Sequence, residues 1–152
     1  MNAPRRRAFL DANVLFSAAW REDAGLARLW QLPAVQLLIS RYAAEEAARN
    51  LDTPAQRGRL THLMTGVELV PDAGIGELPA GIVLPQKDRP ILLAAIGAAA
   101  THLLTGDLRH FGPLFGTTVE GVLIQLPADF CAAPRRAART RPRASRLALK
   151  VA

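Results

Sequence analysis

The chain has 152 residues, of which 50% are hydrophobic, and a formal net charge of +6 at pH 7. This length suits one domain with a real core, and the apolar content excludes a disordered chain. No apolar run reaches the roughly 18 residues that a membrane helix needs. The single cysteine, Cys131, excludes an internal disulfide and is typical of a reducing compartment, so we expect a cytoplasmic protein without a membrane partner.

The first twenty residues, MNAPRRRAFLDANVLFSAAW, imitate a secretory signal, with a basic cluster before an apolar stretch. Asp11 and Asn13 interrupt that stretch, which argues against a signal. The segment RRAFLDAN instead predicts a short buried strand that ends at Asp11, followed by a helix near VLFSAAW.

Strand-like and helix-like segments alternate along the rest of the chain. AVQLLIS predicts a second strand, RYAAEEAARNL a helix, and Thr53 with Pro54 the N-cap and first turn of another helix. VELV predicts a third strand, and the Pro- and Gly-rich residues 71–87 a loop with at most a brief helical turn. DRPILLAAIGAAA predicts a helix, THLLT a fourth strand and GVLIQLP a fifth. This order predicts an α/β fold with a parallel sheet of about five strands, covered by helices on both faces.

The basic residues are concentrated at the C-terminal end. From Cys131 onward the chain has 7 of its 19 lysines and arginines and no acid, which leaves 12 basic residues against 13 acids upstream. We therefore divide the chain into a globular domain, residues 1–130, and a basic arginine-rich tail, residues 131–152. The tail could bind phosphates, a membrane surface or an acidic partner, or serve only as a solvated end.

Two aspartates follow predicted strands at the edge where parallel sheets bind ligands. Asp11 ends the first strand and Asp107 follows the fourth, and the carboxyl ends of parallel strands share one edge of the sheet. Asp88 opens the helix that precedes the fourth strand, so it lies at the same edge. Each aspartate alone could be a turn residue or a helix cap, but all three at one edge favour a site.

A glutamate in the helix after the second strand completes this set. Glu45 has Arg41 and Arg49 four residues away on either side, the spacing of exposed ion pairs. Glu46 lies about 100° further round the helix, so it is the better candidate to face inward.

Four carboxylates at one edge repel one another, by about 1 kcal/mol for a pair at 4 Å in water and more when partly desolvated. Either some of them keep a proton, with raised pKa values, or a divalent cation lies among them. Oxygen ligands without cysteine or histidine favour Mg²⁺ or Mn²⁺ over zinc, and such ions act on phosphate esters. His62, His102 and His110 are scattered along the sequence, and we expect each at the surface or the edge of the core.

Several motifs together resemble the PIN-domain family of bacterial nucleases, many of them toxins of toxin–antitoxin pairs. These motifs are FLDANVLFSA, ISRYAAEEAARNL, KDRPILLAAI, HLLTGDLRHFG and GVLIQLPADF, and they cover about residues 6–130 in the family's order. The family's acidic site falls on Asp11, Glu46, Asp88 and Asp107.

The resemblance implies a three-layer α/β/α domain that cleaves single-stranded RNA with Mg²⁺ or Mn²⁺ and leaves the phosphate on the 5′ side of the cut. It also implies that Asp11, Asp88 and Asp107 hold the metal, and that Asn13 and Thr105 orient the carboxylates or a water. An antitoxin partner and a homodimer are further implications. The basic tail is not part of the family's common domain.

Other interpretations remain open from the sequence. Arg109 and His110 could contact RNA phosphates, or they could be a loop pair that serves packing or solubility. The chain could be a PIN-like RNA-binding or regulatory protein with little catalysis, although no acid of the site is missing. A metal-dependent phosphatase is a third possibility, but such enzymes usually begin with a D-x-D motif, and Asn13 occupies its second acidic position.

Overall fold

The computed structural model describes residues 5–74 and 76–137, and its centre is a single six-stranded sheet. The strands are β1 Arg6–Leu10, β2 Val35–Ser40, β3 Val67–Val70, β4 His102–Leu104, β5 Thr118–Val119 and β6 Val122–Gln125. Their order across the sheet is β3-β2-β1-β4-β6-β5. All neighbouring strands are parallel except β5, which pairs with β6 in the antiparallel direction.

Helices connect these strands. They are α1 Ala12–Trp20, α2 Arg41–Arg49, α3 Pro54–Met64, α4 Arg89–Gly97, α5 Leu108–Phe111 and α6 Pro127–Ala137, with 3₁₀ turns at Gly25–Gln31, Gln86–Asp88 and Gly112–Leu114. Among the residues that the structure describes, no helix combines the length and the apolar character needed to cross a membrane.

The central strands are buried because their sequences are continuous apolar runs and not alternating ones. Ala8, Phe9 and Leu10 of β1 are fully buried, as are Leu103 and Leu104 of β4. Such runs are typical of parallel strands that helices cover on both faces. The predicted three-layer α/β/α fold is therefore confirmed.

The structure has a short strand, β5, that was not predicted from the sequence. Glu120 (φ 49°) and Gly121 (φ 86°) form a two-residue connection to β6, with Val119 paired to Val122. Positive φ at both positions is what a type I′ hairpin turn requires, and glycine supplies it readily. The hairpin extends the predicted five strands to six.

The predicted start of α3 is confirmed in detail. The Thr53 side chain accepts a hydrogen bond from the Gln56 backbone, and the Gln56 side chain accepts from the Thr53 backbone, which together form a capping box with Pro54 in the first turn.

The final helix, α6, runs across residue 130, where the globular domain was predicted to end. The first part of the predicted basic tail is therefore helical backbone, through residue 137. Residues 138–152 lie outside the described part of the chain, so the division into domain and tail stays a prediction.

Candidate metal centre

The site begins where the strand order reverses, between β1 and β4. Leu10 pairs with Leu104 at the carboxyl ends of these two strands, so Asp11 and Thr105 follow side by side. The Asp11 backbone N–H donates to the Leu104 carbonyl at 3.0 Å and continues the ladder by one bond. In open α/β sheets, ligands bind in the crevice at such a reversal.

Three donors hold the buried carboxylate of Asp11. Its Oδ1 accepts from the Ala12 backbone N–H at 2.7 Å, which also caps α1. Its Oδ2 accepts from the Thr105 hydroxyl at 2.8 Å and from the Asn13 side-chain amide at 3.0 Å. Both supporting residues that the resemblance implied therefore contact Asp11 directly.

The loop after β4 is fixed to α1 by the same side chains. The Asn13 carbonyl oxygen accepts from the Gly106 backbone N–H at 2.8 Å, and the Thr105 hydroxyl accepts from the Asp107 backbone N–H at 3.0 Å. Asp107 Oδ1 accepts in turn from the His110 backbone N–H at 3.1 Å and caps α5. These bonds fix the position of Asp107 relative to Asp11.

Asp88 occupies the start of α4, but its side chain caps no backbone amide there. The residue is only 6% exposed. Tyr42 from α2 donates its hydroxyl to the Lys87 carbonyl at 2.8 Å and fixes the turn that presents Asp88. Helix capping, the structural alternative for this aspartate, is therefore not the role of its carboxylate.

The four predicted acids, Asp11, Glu46, Asp88 and Asp107, line one cavity of about 790 Å³. Glu45 is exposed, whereas Glu46, next to it on α2, is half-buried and faces this cavity. The walls combine polar and apolar side chains, among them Asn13, Lys87, Phe16, Leu26 and Leu126.

Burial dominates the electrostatics of the acids. It raises the pKa of Asp11 to about 6, although the hydrogen bonds from Thr105 and Ala12 act in the opposite direction, and the charges of Asp88 and Glu46 add to the rise. Burial also raises the pKa of Asp88, against the lowering effects of His110 and Lys87. The carboxylates are close enough to disfavour one another's ionisation, which a bound cation would reverse.

His110 lies against two of the acids. Its Nδ1 atom is 2.9 Å from Asp88 Oδ2 and 2.9 Å from Asp107 Oδ2, with the imidazole side chain 25% exposed. Neither His110 Nδ1 nor Asp88 Oδ2 has a partner in hydrogen-bond geometry, although both atoms are buried. Two carboxylate oxygens and a ring nitrogen therefore converge without aligned hydrogen bonds between them.

This arrangement fits a divalent cation. Within residues 5–74 and 76–137, Asp88, Asp107 and His110 each place a ligand atom within 4.8 Å of the others. The buried Asp88 Oδ2, without a hydrogen-bond partner, is the kind of atom that a metal satisfies. Asp11 and Glu46 lie on the same cavity but outside this tight group.

Arg109 and His110, the two residues predicted as possible contacts for RNA phosphates, lie in different surroundings, and that role stays a prediction. Arg109 is exposed and does not line the cavity, and His110 turns its Nδ1 toward carboxylates. Lys87 also lines the cavity, although it was not among the predicted site residues. The spacing of Asp107 and His110, three residues apart at a helix start, is the signal that could have placed His110 at the site.

Comparisons with known proteins show the fold. No family model and no curated protein matches the sequence. A solved structure does match, "Crystal structure of VapBC2 from Rickettsia felis bound to a DNA fragment from their promoter", with a TM-score of 0.56 and 13% identity over 79% of this chain and 98% of that chain. The architecture is thus the PIN-domain fold that the motifs predicted.

Proposed function

We propose that this protein is a metal-dependent endoribonuclease of the PIN type, which cleaves phosphodiester bonds of single-stranded RNA. The observation that carries the proposal is the convergence of four carboxylates on one cavity at the reversal point of the sheet, with a buried Asp88 oxygen that lacks a hydrogen-bond partner.

In this proposal Asp11, Asp88 and Asp107 hold Mg²⁺ or Mn²⁺. The ion, when bound, supplies a Lewis acid that lowers the pKa of a water and neutralises charge on the phosphate. The carboxylate set suits either ion because both prefer oxygen ligands.

The protein's own groups orient this chemistry. Thr105 and Asn13 donate to Asp11 Oδ2 and fix the carboxylate in one rotamer. Glu46 faces the cavity from α2, where it positions the attacking water or completes the ligand shell. Lys87 brings an ammonium group to the same cavity, opposite in sign to an RNA phosphate.

An aromatic side chain in the wall of the cavity supports a single-stranded substrate. Phe16 lines it with an aromatic ring, 5.1 Å from the Trp20 ring on the next turn of α1, and the face of an unpaired base can stack on such rings. Arg109, exposed on α5, stays a proposed contact for the RNA backbone.

A protein partner of the antitoxin class is part of the same proposal. The matching solved structure is a VapBC2 complex, and an acidic cavity of this size is complementary to a basic side chain of a partner. A homodimer and a cytoplasmic location are also part of this proposal.

The test is cleavage of a single-stranded RNA by the purified protein with Mg²⁺ or Mn²⁺, with and without EDTA. Asp11→Asn should lower the rate by roughly 100-fold or more because it removes a ligand charge without removing volume. Glu45→Gln, an exposed acid beside the site, is the matched control and should cleave at the wild-type rate. Full activity of Asp11→Asn, or cleavage that survives EDTA, would refute the assignment, and RNA binding without cleavage would favour the regulatory alternative.

A further inference from the structure

His110 occupies a position that the four acids do not explain. It is outside the set of carboxylates, yet its Nδ1 is as close to Asp88 Oδ2 as to Asp107 Oδ2, 2.9 Å in each case. Adjacent ligands of an octahedral ion with bonds of about 2.1 Å are about 3.0 Å apart. The two separations therefore match those of ligand atoms that share one ion.

The alternative for His110 is a counter-ion whose N–H pairs with the acids. That role requires a proton on Nδ1 that points at a carboxylate oxygen. The contacts are short enough for hydrogen bonds, and a charged His110 would lower the pKa of Asp88, but Nδ1 is buried and its approach to either oxygen does not have the alignment of a hydrogen bond. The side chain of Asp88, 9% exposed, also directs an oxygen into this position without a hydrogen-bond partner. A cation bound by His110 Nδ1, Asp88 Oδ2 and Asp107 Oδ2 would give each of these atoms a partner.

We propose that His110 is a ligand of the metal through Nδ1, so that the centre is a mixed oxygen and nitrogen site that prefers Mn²⁺ to Mg²⁺. The inference rests on the proposed function, because it concerns the same metal. Mg²⁺ binds oxygen ligands and accepts imidazole poorly. Mn²⁺ is a transition-metal ion, and it accepts a nitrogen ligand more readily than Mg²⁺ does. His110 is then the residue that sets the choice of ion.

The position of His110 in the chain makes this ligand available. It follows Asp107 by three residues on α5, and Asp107 fixes the first turn of that helix by accepting from the His110 backbone N–H. One aspartate thus orients the backbone of His110 through Oδ1, while its Oδ2 lies beside the ring nitrogen.

The experiment measures metal binding alone, on the full chain freed of metal with a chelator. Pulsed electron paramagnetic resonance of bound Mn²⁺ should show coupling to a histidine ¹⁴N nucleus in the wild type. The coupling should be lost in His110→Asn, whose side-chain amide places an oxygen near the former Nδ1. Calorimetry should show that His110→Asn weakens Mn²⁺ binding by about tenfold and leaves Mg²⁺ binding nearly unchanged.

The matched control is His62→Asn, because His62 is exposed on α3. It should keep both the nitrogen coupling and the preference for Mn²⁺. Absence of nitrogen coupling in the wild type, or an unchanged preference for Mn²⁺ in His110→Asn, would overturn the inference. RNA cleavage by the same samples separates the two proposals. Mg²⁺-dependent cleavage without nitrogen coupling would refute only the proposal that His110 is a metal ligand. Nitrogen coupling without cleavage would refute only the proposal that the protein is a ribonuclease.

Discussion

The buried Asp11 makes the stability of the metal-free protein depend on pH. Its pKa is raised from 3.8 to about 6, mainly by burial. Because the folded protein binds this proton more tightly than the unfolded chain, the contribution to stability is complete below about pH 4 and is lost as the pH rises through 6. A rise of about two units corresponds to about 3 kcal/mol, of which about 1 kcal/mol falls between pH 5 and pH 7.

Asp11→Asn removes this titration, so the comparison of the two proteins isolates it. The variant has an amide that cannot ionise, and it should gain about 1 kcal/mol relative to the wild type on going from pH 5 to pH 7. His102, whose pKa burial lowers, changes stability in the opposite direction, but it is present in both proteins and cancels. The repulsion between Asp11 and Asp88 is already part of the rise in the pKa of Asp11, so it adds nothing further to the expected gain.

The assay is urea denaturation followed by circular dichroism at pH 5, 6 and 7 with EDTA present. A difference in free energy of unfolding that stays constant over this range, or that grows in favour of the wild type, would refute the reasoning. Repeating the series with Mn²⁺ should stabilise the wild type more than the variant at pH 7, since the ion binds the ionised carboxylates.

Three further substitutions test the local geometry. Glu46→Gln should slow RNA cleavage by at least about tenfold, while Glu45→Gln should not, and equal rates would refute the inward role of Glu46. Thr105→Val removes the hydroxyl that joins Asp11 to the Asp107 backbone. Calorimetry should show that this change weakens Mn²⁺ binding by about tenfold or more, and an unchanged affinity would contradict a role of Thr105 in positioning the metal ligands. Gln56→Ala removes the capping box and three hydrogen bonds of the Gln56 side chain. It should lower the free energy of unfolding, measured by urea titration, by about 1–2 kcal/mol, and an unchanged urea midpoint would contradict this prediction.

The sequence predicted the sheet and the place of the acids because both depend on chain order. Apolar runs such as AFL and LL mark buried parallel strands, and the residue after each run must lie at the carboxyl edge. Asp11 could be placed by this rule alone, whereas Asp107 comes three residues after Leu104, in the Thr-Gly-Asp turn that follows that run. Glu46 required only the helical repeat, which turns it about 100° from Glu45.

The features that escaped prediction depend on local backbone and on side-chain rotamers. The β5–β6 hairpin rests on two residues with positive φ, one of them Glu120, a residue type that gives no turn signal. The contact of His110 with Asp88 joins α5 to the start of α4, and sequence spacing does not encode that separation. The second contact of His110, with Asp107, joins residues within one helical turn, so sequence spacing could have predicted it.

The capping and functional explanations of the aspartates prove compatible, because each explanation uses a different oxygen. Asp11 and Asp107 each use Oδ1 to accept from a backbone amide at the start of a helix, α1 in one case and α5 in the other. Their Oδ2 atoms face side chains instead: Thr105 and Asn13 donate to Asp11, and the His110 ring lies against Asp107. Capping therefore uses one oxygen of each carboxylate and leaves the other to contact neighbouring side chains, so the strand ends that begin the helices also position both aspartates on the cavity.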